Sequence, residues 1–155
     1  MLFRSVRGDA CGQALVSRLV PGCDAIFHAA ALPSVPGSVV DPVRTNAENL
    51  DATLGLLVAA RDAGVKRFVF ASSSSIYGDS EAVLKREDHT PHPLSPYALQ
   101  KYAAERYGQL FHALYGLPTV GLRYFNVFGP RQSFDSPYSG VIARFCAAFL
   151  KNEPP

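Results

Sequence analysis

Residues 67–78 read RFVFASSSSIYG. Arg67–Ala71 is a continuous apolar run, too short for a helix and rich in Phe and Val. Such a run predicts a strand covered on both faces. Four serines, Ser72–Ser75, follow it directly and lead into Gly78, so the strand ends in a polar turn. A second run of the same kind, Asp24–Ala31 (DAIFHAAA), lies upstream and reads as a buried strand passing into a loop. Between the two, Pro42–Ala63 has helical character. Leu50, Leu54, Leu57 and Val58 fall at i, i+4, i+7 and i+8, one apolar stripe, and Gly64 stands where a helix closes. Strand, helix, strand at this spacing predicts a βαβ unit and a parallel sheet.

The pattern extends both ways. Ser72–Pro93 is mostly loop. Ser95-Pro96 then reads as an N-cap followed by proline at the first helical position. That helix is expected to run to about Tyr115 and to end at Gly116 and Pro118. Thr119–Tyr124 (TVGLRY) is a third strand, Asn126–Pro137 a polar loop, and Gly140–Lys151 a last helix. Upstream, Leu2–Val6 reads as a short strand before Gly8-Asp9, and Gln13–Val20 as a short helix. Leu32–Asp41, with Pro33, Pro36 and Gly37, is expected to be a loop. The fold class is α/β, a doubly wound parallel sheet with flanking helices.

Composition narrows the function. The 155 residues are 48% hydrophobic and 18% charged, enough apolar content for a core. With 15 Lys+Arg against 13 Asp+Glu and no basic run, no nucleic-acid surface is indicated. No apolar stretch is long enough to span a membrane, and residues 1–30 lack the pattern of a secretory signal. Cys11, Cys23 and Cys146 are odd in number and lack CxxC spacing. They argue for a reducing compartment, hence the cytoplasm, and against a disulfide frame or zinc site. His28, His89, His92 and His112 show no metal spacing, and His28 reads as a core or supporting residue rather than a catalyst.

The sharpest chemical feature is Tyr97-Ala-Leu-Gln-Lys101. Spacing of four on a helix puts Tyr97 and Lys101 on one face. An ammonium beside a phenol favours phenolate, so Tyr97 is expected to have a lowered pKa suited to moving a hydroxyl proton. Alone, this pattern is weak, since tyrosine and lysine meet at this spacing by chance. The serine turn at the carboxyl end of a strand strengthens it, because ligand chemistry gathers at that edge of a parallel sheet. A plain polar turn is the other reading of the serines. The aromatics Tyr102, Tyr107, Phe111 and Tyr115 read as a buried helix face or a helix-pair dimer contact.

Six collinear motifs carry a resemblance: Gly8-Asp9; HAAALPSVPGS (His28–Ser38) with Asp41-Pro42; Asn49 in NLDAT; ASSSSIYGD (Ala71–Asp79); SPYALQKYAAE (Ser95–Glu105); and LRYFNVFGPRQ (Leu122–Gln132). Together they resemble the extended short-chain dehydrogenase/reductase family, specifically its NAD-dependent nucleotide-sugar epimerases. The resemblance implies a Rossmann-like domain, NAD as cofactor and a UDP-sugar as substrate. It also implies roles. Asp9 and the Ala10 backbone contact the adenine, the Ala29-Ala30 backbone lies along the dinucleotide, and Asn49 ties the loop and cofactor region together. Lys101 binds the nicotinamide ribose and tunes Tyr97, Ser73 is the catalytic hydroxyl, and Ser74 is a neighbouring substrate contact. Tyr124 and Phe125 lie near the nicotinamide, and Asn126 contacts the substrate diphosphate. Ser34 is open between a sugar contact and a plain loop serine, Asn49 between its tying role and a helix-surface amide. Arg131 is open between a bidentate phosphate or carboxylate contact and an exposed loop arginine. A homodimer through the Tyr97 helix and the preceding long helix is implied as well.

Within the family, dehydratases and decarboxylases usually carry an acidic residue two before the Tyr of the YG pair. This chain has Ser74 and Ser75 at three and two before Tyr77. The pattern favours oxidation and return at C4, as in UDP-glucose and UDP-N-acetylglucosamine 4-epimerases. Gly37 departs from that subgroup, which often has arginine there. The resemblance starts at the family's third strand. No G-x-x-G-x-x-G turn precedes it, since Gly8 and Gly12 are separated by DAC. The expectation is therefore that residues 1–155 are the central part of an NAD(P)-binding domain, lacking the glycine-rich βαβ segment and the C-terminal substrate domain. Such a piece is expected to be marginally stable, inactive alone and a weak binder of NAD. The competing reading is a non-catalytic remnant, and a sibling reductase or dehydratase is the third.

Overall fold

A computed structural model of the chain describes residues 5–80, 82–132 and 140–154. The chain divides into two compact units, Met1–Arg123 and Tyr124–Pro155.

The first unit begins with helix α1 (Gln13–Leu19) and strand β1 (Ala25–His28). Helices α2 (Val35–Val40), α3 (Pro42–Asn46) and α4 (Ala52–Asp62) follow, with one π turn, Ala47–Asp51, joining the last two. Strand β2 (Arg67–Ser73) passes into a 3-10 turn, Ser74–Tyr77, then a long loop leads to helix α5 (Pro96–Tyr115) and strand β3 (Thr119–Tyr124). Sheet order is β1-β2-β3, three parallel strands. β1 pairs β2 from Ala25 opposite Arg67 to His28 opposite Phe70. On the other side of β2, the Phe68 amide donates to Pro118 O at 2.9 Å. Parallel pairing follows from the connections, because each pair of strands is separated by a helical crossover.

The core lies on one face of β2. Phe68 and Phe70 point into it and meet Val16 and Val20 of the α1 segment, Leu57 and Ala60 of α4, and Ala104 and Phe111 of α5. Leu50, Leu54 and Val58 pack around it, so the apolar stripe read from the sequence faces the sheet. α5 starts and stops where its ends dictate. Ser95 Oγ accepts from the Ala98 amide at 3.1 Å, Pro96 occupies the first turn, and Gly116 closes the helix at φ 67°, a left-handed turn that a side chain would disfavour.

Four expectations need correction. Residues 32–41 are not all loop, because α2 forms over Val35–Val40. Ser34 caps it by accepting from the Gly37 amide at 2.9 Å, and Pro36 sits in the first turn, where its missing N–H costs nothing. The long helix from Pro42 is not uniform, since the π turn widens it around Asn49. The strands are not fully covered on both faces, for Phe27 of β1 is 62% exposed. Of the strand expected over Leu2–Val6, residues 2–4 lie outside the described residues, and Ser5 and Val6 are irregular.

In the second unit, helix α6 (Val141–Lys151) begins after Gly140, with Ala143 buried and Phe145, Phe149 and Leu150 exposed. The segment Val127–Gln132 borders a shallow depression of about 340 Å³.

Candidate active site

The site forms where the carboxyl ends of β1 and β2 meet the first turns of α5. Tyr97 and Lys101 are both buried, at 8% and 6% exposure. Lys101 Nζ lies 5.8 Å from the Tyr97 ring centroid and donates to Ala71 O at 2.9 Å, the last carbonyl before the serines. The helix spacing thus brings the pair together as expected. The electrostatics differ from the expectation. Burial pushes the Tyr97 phenol up from its ordinary pKa, and a side-chain hydrogen bond with Ser73 pulls it partly back. Burial also lowers Lys101 to about 8. A buried ammonium is costly, so desolvation of both groups outweighs their mutual effect.

Ser73 ends β2 and caps the 3-10 turn, where its Oγ accepts from the Ser75 amide at 3.2 Å. Ser74 is half-buried in that turn. Gly78 closes it at φ 62°, and a Cβ there would collide with His92 O, so only glycine lets the following chain approach this closely. Ser72 points the other way and donates to Glu105 Oε1 at 2.5 Å. Glu105 in turn holds Arg123 through Nη2 at 2.9 Å and Nε at 3.0 Å. The Arg123 guanidinium lies 4.9 Å from the Tyr77 ring centroid, and its Nη1 donates to Glu87 O at 3.1 Å. α5, β2, β3 and the serine turn are therefore tied at one point.

The loop after β1 is tied to the same helix. Asn49 is 1% exposed. Its Oδ1 accepts from the Leu32 amide at 2.7 Å, and its Nδ2 donates to Leu32 O at 3.2 Å and to Gln100 Oε1 at 2.9 Å. Asn49 is thus no surface amide: it joins the Leu32 backbone to Gln100 of α5. The π turn places it there, and such turns often mark functional sites. A second tie is Ser38, fully buried, whose Oγ accepts from the Tyr97 amide at 3.1 Å.

His28 ends β1 and is buried. Thr53 Oγ1 donates to Asn49 O at 2.6 Å, so it accepts from His28 Nε2 at 2.9 Å, which assigns the proton to Nε2. Burial, with a smaller push from the Lys101 charge, lowers His28 to about 4. The unfolded chain takes up that proton near the ordinary 6.5, so it binds more protons than the folded chain between 6.5 and about 4. Stability should therefore fall as pH drops through this window, by up to about 3 kcal/mol. Urea unfolding at stepped pH checks it: His28→Asn should flatten the acid slope, and an unchanged slope would assign the loss to other groups.

The remaining expected residues lie as follows. Asp9 is exposed and its Oδ1 accepts from the Cys11 amide at 2.9 Å; Ala10 follows it in the turn. Ala29 and Ala30 are exposed just past the carboxyl end of β1. Ser34 is half-buried and serves as the α2 cap. Tyr124, Asn126 and Arg131 belong to the second unit and are exposed there, with Arg131 at φ 70°. Ser38, Thr53, Gln100 and Glu105 were not among the expected site residues, and Ser75 was read only for its lack of a carboxylate. Glu105 had a signal, since Tyr97, Lys101 and Glu105 repeat at four-residue steps on one helix face.

A dinucleotide fits these residues. Lys101 has three N–H donors, and Ala71 O takes one, leaving two for ribose hydroxyls. Ala29 and Ala30 present backbone without bulk at the sheet edge where such cofactors lie. A buried tyrosine and lysine thus lie at the carboxyl edge of a parallel sheet, beside a serine turn. The family model for the NAD dependent epimerase/dehydratase family matches residues 2–155, and the chain belongs to that family. The family is NAD-dependent.

Among solved structures, the UDP-N-acetylglucosamine 4-epimerase of Methanobrevibacter ruminantium, in complex with UDP-N-acetylmuramic acid, is 45% identical. The match covers 97% of this chain and 48% of that one, with a TM-score of 0.90. The UDP-glucose 4-epimerase of Thermus thermophilus, in complex with NAD, is 41% identical over 96% of this chain and 49% of its own, with a TM-score of 0.84. The UDP-glucose 4-epimerase of Mycolicibacterium smegmatis is 41% identical over 92% of this chain and 45% of its own length. Dehydratases and a decarboxylase are also among the relatives. The chain spans less than half the length of the curated relatives it matches.

Proposed function

We propose that residues 1–155 are the central part of the NAD-binding domain of a UDP-sugar 4-epimerase, a cytoplasmic enzyme whose turnover needs the segments that complete the domain. The observation that carries this reading is the serine turn, Ser73–Ser75, set against Tyr97 without a carboxylate. Removing a C5 proton or driving elimination requires a base there, and this turn offers only hydroxyls. That disfavours the dehydratase reading. The family's dehydratases and decarboxylase leave the choice of reaction to be made on these residues.

In the proposed reaction, Tyr97 takes the proton of the sugar 4-hydroxyl and later returns it. NAD held beside Lys101 would supply the chemistry of taking hydride from C4 and returning it to the opposite face of the sugar. Lys101 anchors the ribose through its free donors, and its charge favours the phenolate when that forms. Ser73 hydrogen-bonds the phenol oxygen. Ala29, Ala30 and Asp9 line the cofactor side, and Ser34, Ser74, Asn126 and Arg131 are proposed to meet the UDP-sugar. Dimerisation through α5 and the α3–α4 segment belongs to the same proposal. It is supported by Leu99, Leu110 and Leu114 of α5, each between 49% and 67% exposed.

The test is a product assay on the whole protein with UDP-glucose and UDP-N-acetylglucosamine. Appearance of the C4 epimer supports the reading. A released 4-keto or reduced sugar assigns a sibling activity. Genomic sequence upstream of Met1 addresses the domain proposal, because an in-frame G-x-x-G-x-x-G turn is what it requires and its lack favours a remnant.

A further inference from the structure

A hydroxyl has one proton to give and two lone pairs to accept with. At Ser73 one residue occupies both lone pairs. The Ser75 amide donates to Ser73 Oγ at 3.2 Å, and the Ser75 hydroxyl donates to the same atom at 2.9 Å. Ser75 Oγ hydrogen-bonds no other protein group among the described residues, so Ser73 Oγ is the protein acceptor of its proton. The reverse orientation would spend the Ser73 proton on Ser75 and leave none for the phenol beside it. With both lone pairs engaged, Ser73 has its own proton left to offer, and the phenol whose pKa it lowers is that of Tyr97.

We propose that Ser75 is a positioning residue that fixes Ser73 as a hydrogen-bond donor to the Tyr97 oxygen. Ser73 then steadies the phenolate and keeps its own proton. The substrate proton passes straight from the 4-hydroxyl to Tyr97 and back by the same path. The kinetic consequence rests on the epimerase reading, whereas the orientation of Ser73 does not. Lys101 on α5 faces the phenol ring, with Nζ 5.8 Å from its centroid; Glu105 on α5, His28 on β1, Tyr77 in the turn and Arg123 on β3 are the other titratable groups of the site described above. Glu105 and Arg123 are paired with each other, and His28 is neutral above about pH 4, so Lys101 is the charge that acts beside Ser73.

The test uses the whole protein carrying Ser75→Ala or Ser75→Thr. Ser75→Ala should lower kcat for the UDP-sugar about tenfold with little change in KM, and move the acid limb of the kcat profile to higher pH. Ser75→Thr, which keeps the hydroxyl, should restore both. A raised KM with kcat and acid limb unchanged would place Ser75 on the substrate and overturn the proposal. A readout without turnover separates this from the epimerase reading. Ultraviolet titration of tyrosinate, taken as the difference between the parent and Tyr97→Phe, isolates the Tyr97 phenol. Ser75→Ala should shift that titration upward and Ser75→Thr should not. If no UDP-sugar is turned over, an upward shift still supports the positioning role while the epimerase reading fails, and an unmoved titration overturns the role.

Discussion

On the proposed epimerase reading, Tyr97→Phe in the whole protein should lower turnover of the UDP-sugar by about 10³-fold or more and leave NAD affinity near that of the parent. The substitution removes one oxygen from a ring that is otherwise packed. The phenyl group stays over Lys101, whose Nζ keeps its bond to Ala71 O, so the contacts expected to hold the ribose are untouched. What disappears is the acceptor for the 4-hydroxyl proton. Ser73 is next in line, but its lone pairs are engaged by Ser75 and its ordinary pKa is far too high for a base near neutral pH. Burial raises the phenol's own pKa, so in the parent the reactive fraction should grow with pH until it titrates. The variant should lose that pH dependence along with its rate. Turnover and cofactor binding measured side by side decide the matter: near-parental turnover would remove Tyr97 as the base, and loss of both together would mean that the ring is structural.

The parts of this site that follow local rules could be read from the chain. Ser95-Pro96 announces the start of α5 and Gly116 its end, and the step of four from Tyr97 to Lys101 needs only helical geometry. The strand after Lys66 and its serine turn are legible for the same reason, since a short apolar run stopping at hydroxyls has few other solutions. What could not be read depends on partners far along the chain. Ser38 meets Tyr97 across 59 residues and Asn49 meets Gln100 across 51, and neither contact leaves a period in the sequence. α2 was hidden because Pro33, Pro36 and Gly37 signal a break, although a proline in the first turn of a capped helix breaks nothing. The phenol's pKa direction was missed for a related reason. Spacing reports that a lysine is near but not how far the pair is removed from water, and here burial is the larger effect.

Glu105→Ala should be the most damaging substitution to the fold near the site, lowering the unfolding free energy by about 3 kcal/mol. The side chains of Glu105 and Arg123 are 9% and 17% exposed, so water replaces little of what is lost. Alanine strands the Arg123 guanidinium among β3, Tyr77 and Glu87 O, and it leaves the Ser72 hydroxyl without its acceptor. The cost of an unpaired buried charge, rather than the worth of the bridge, sets the size of the effect. That distinction is testable with the double variant Glu105→Leu/Arg123→Leu, which removes both charges and keeps apolar volume. It should recover most of the stability in urea unfolding. Activity should not recover with it. Ser72 adjoins Ser73, and Arg123 holds the Tyr77 end of the same turn, so the apolar pair restores packing without restoring the hydrogen bonds that set the turn against Tyr97. If the single variant loses under about 1 kcal/mol, the pair behaves as a solvent-screened surface bridge and the tie is mechanical only. If the double variant regains both stability and rate, the turn holds its place through packing alone, and Ser72 has no part in setting Ser73.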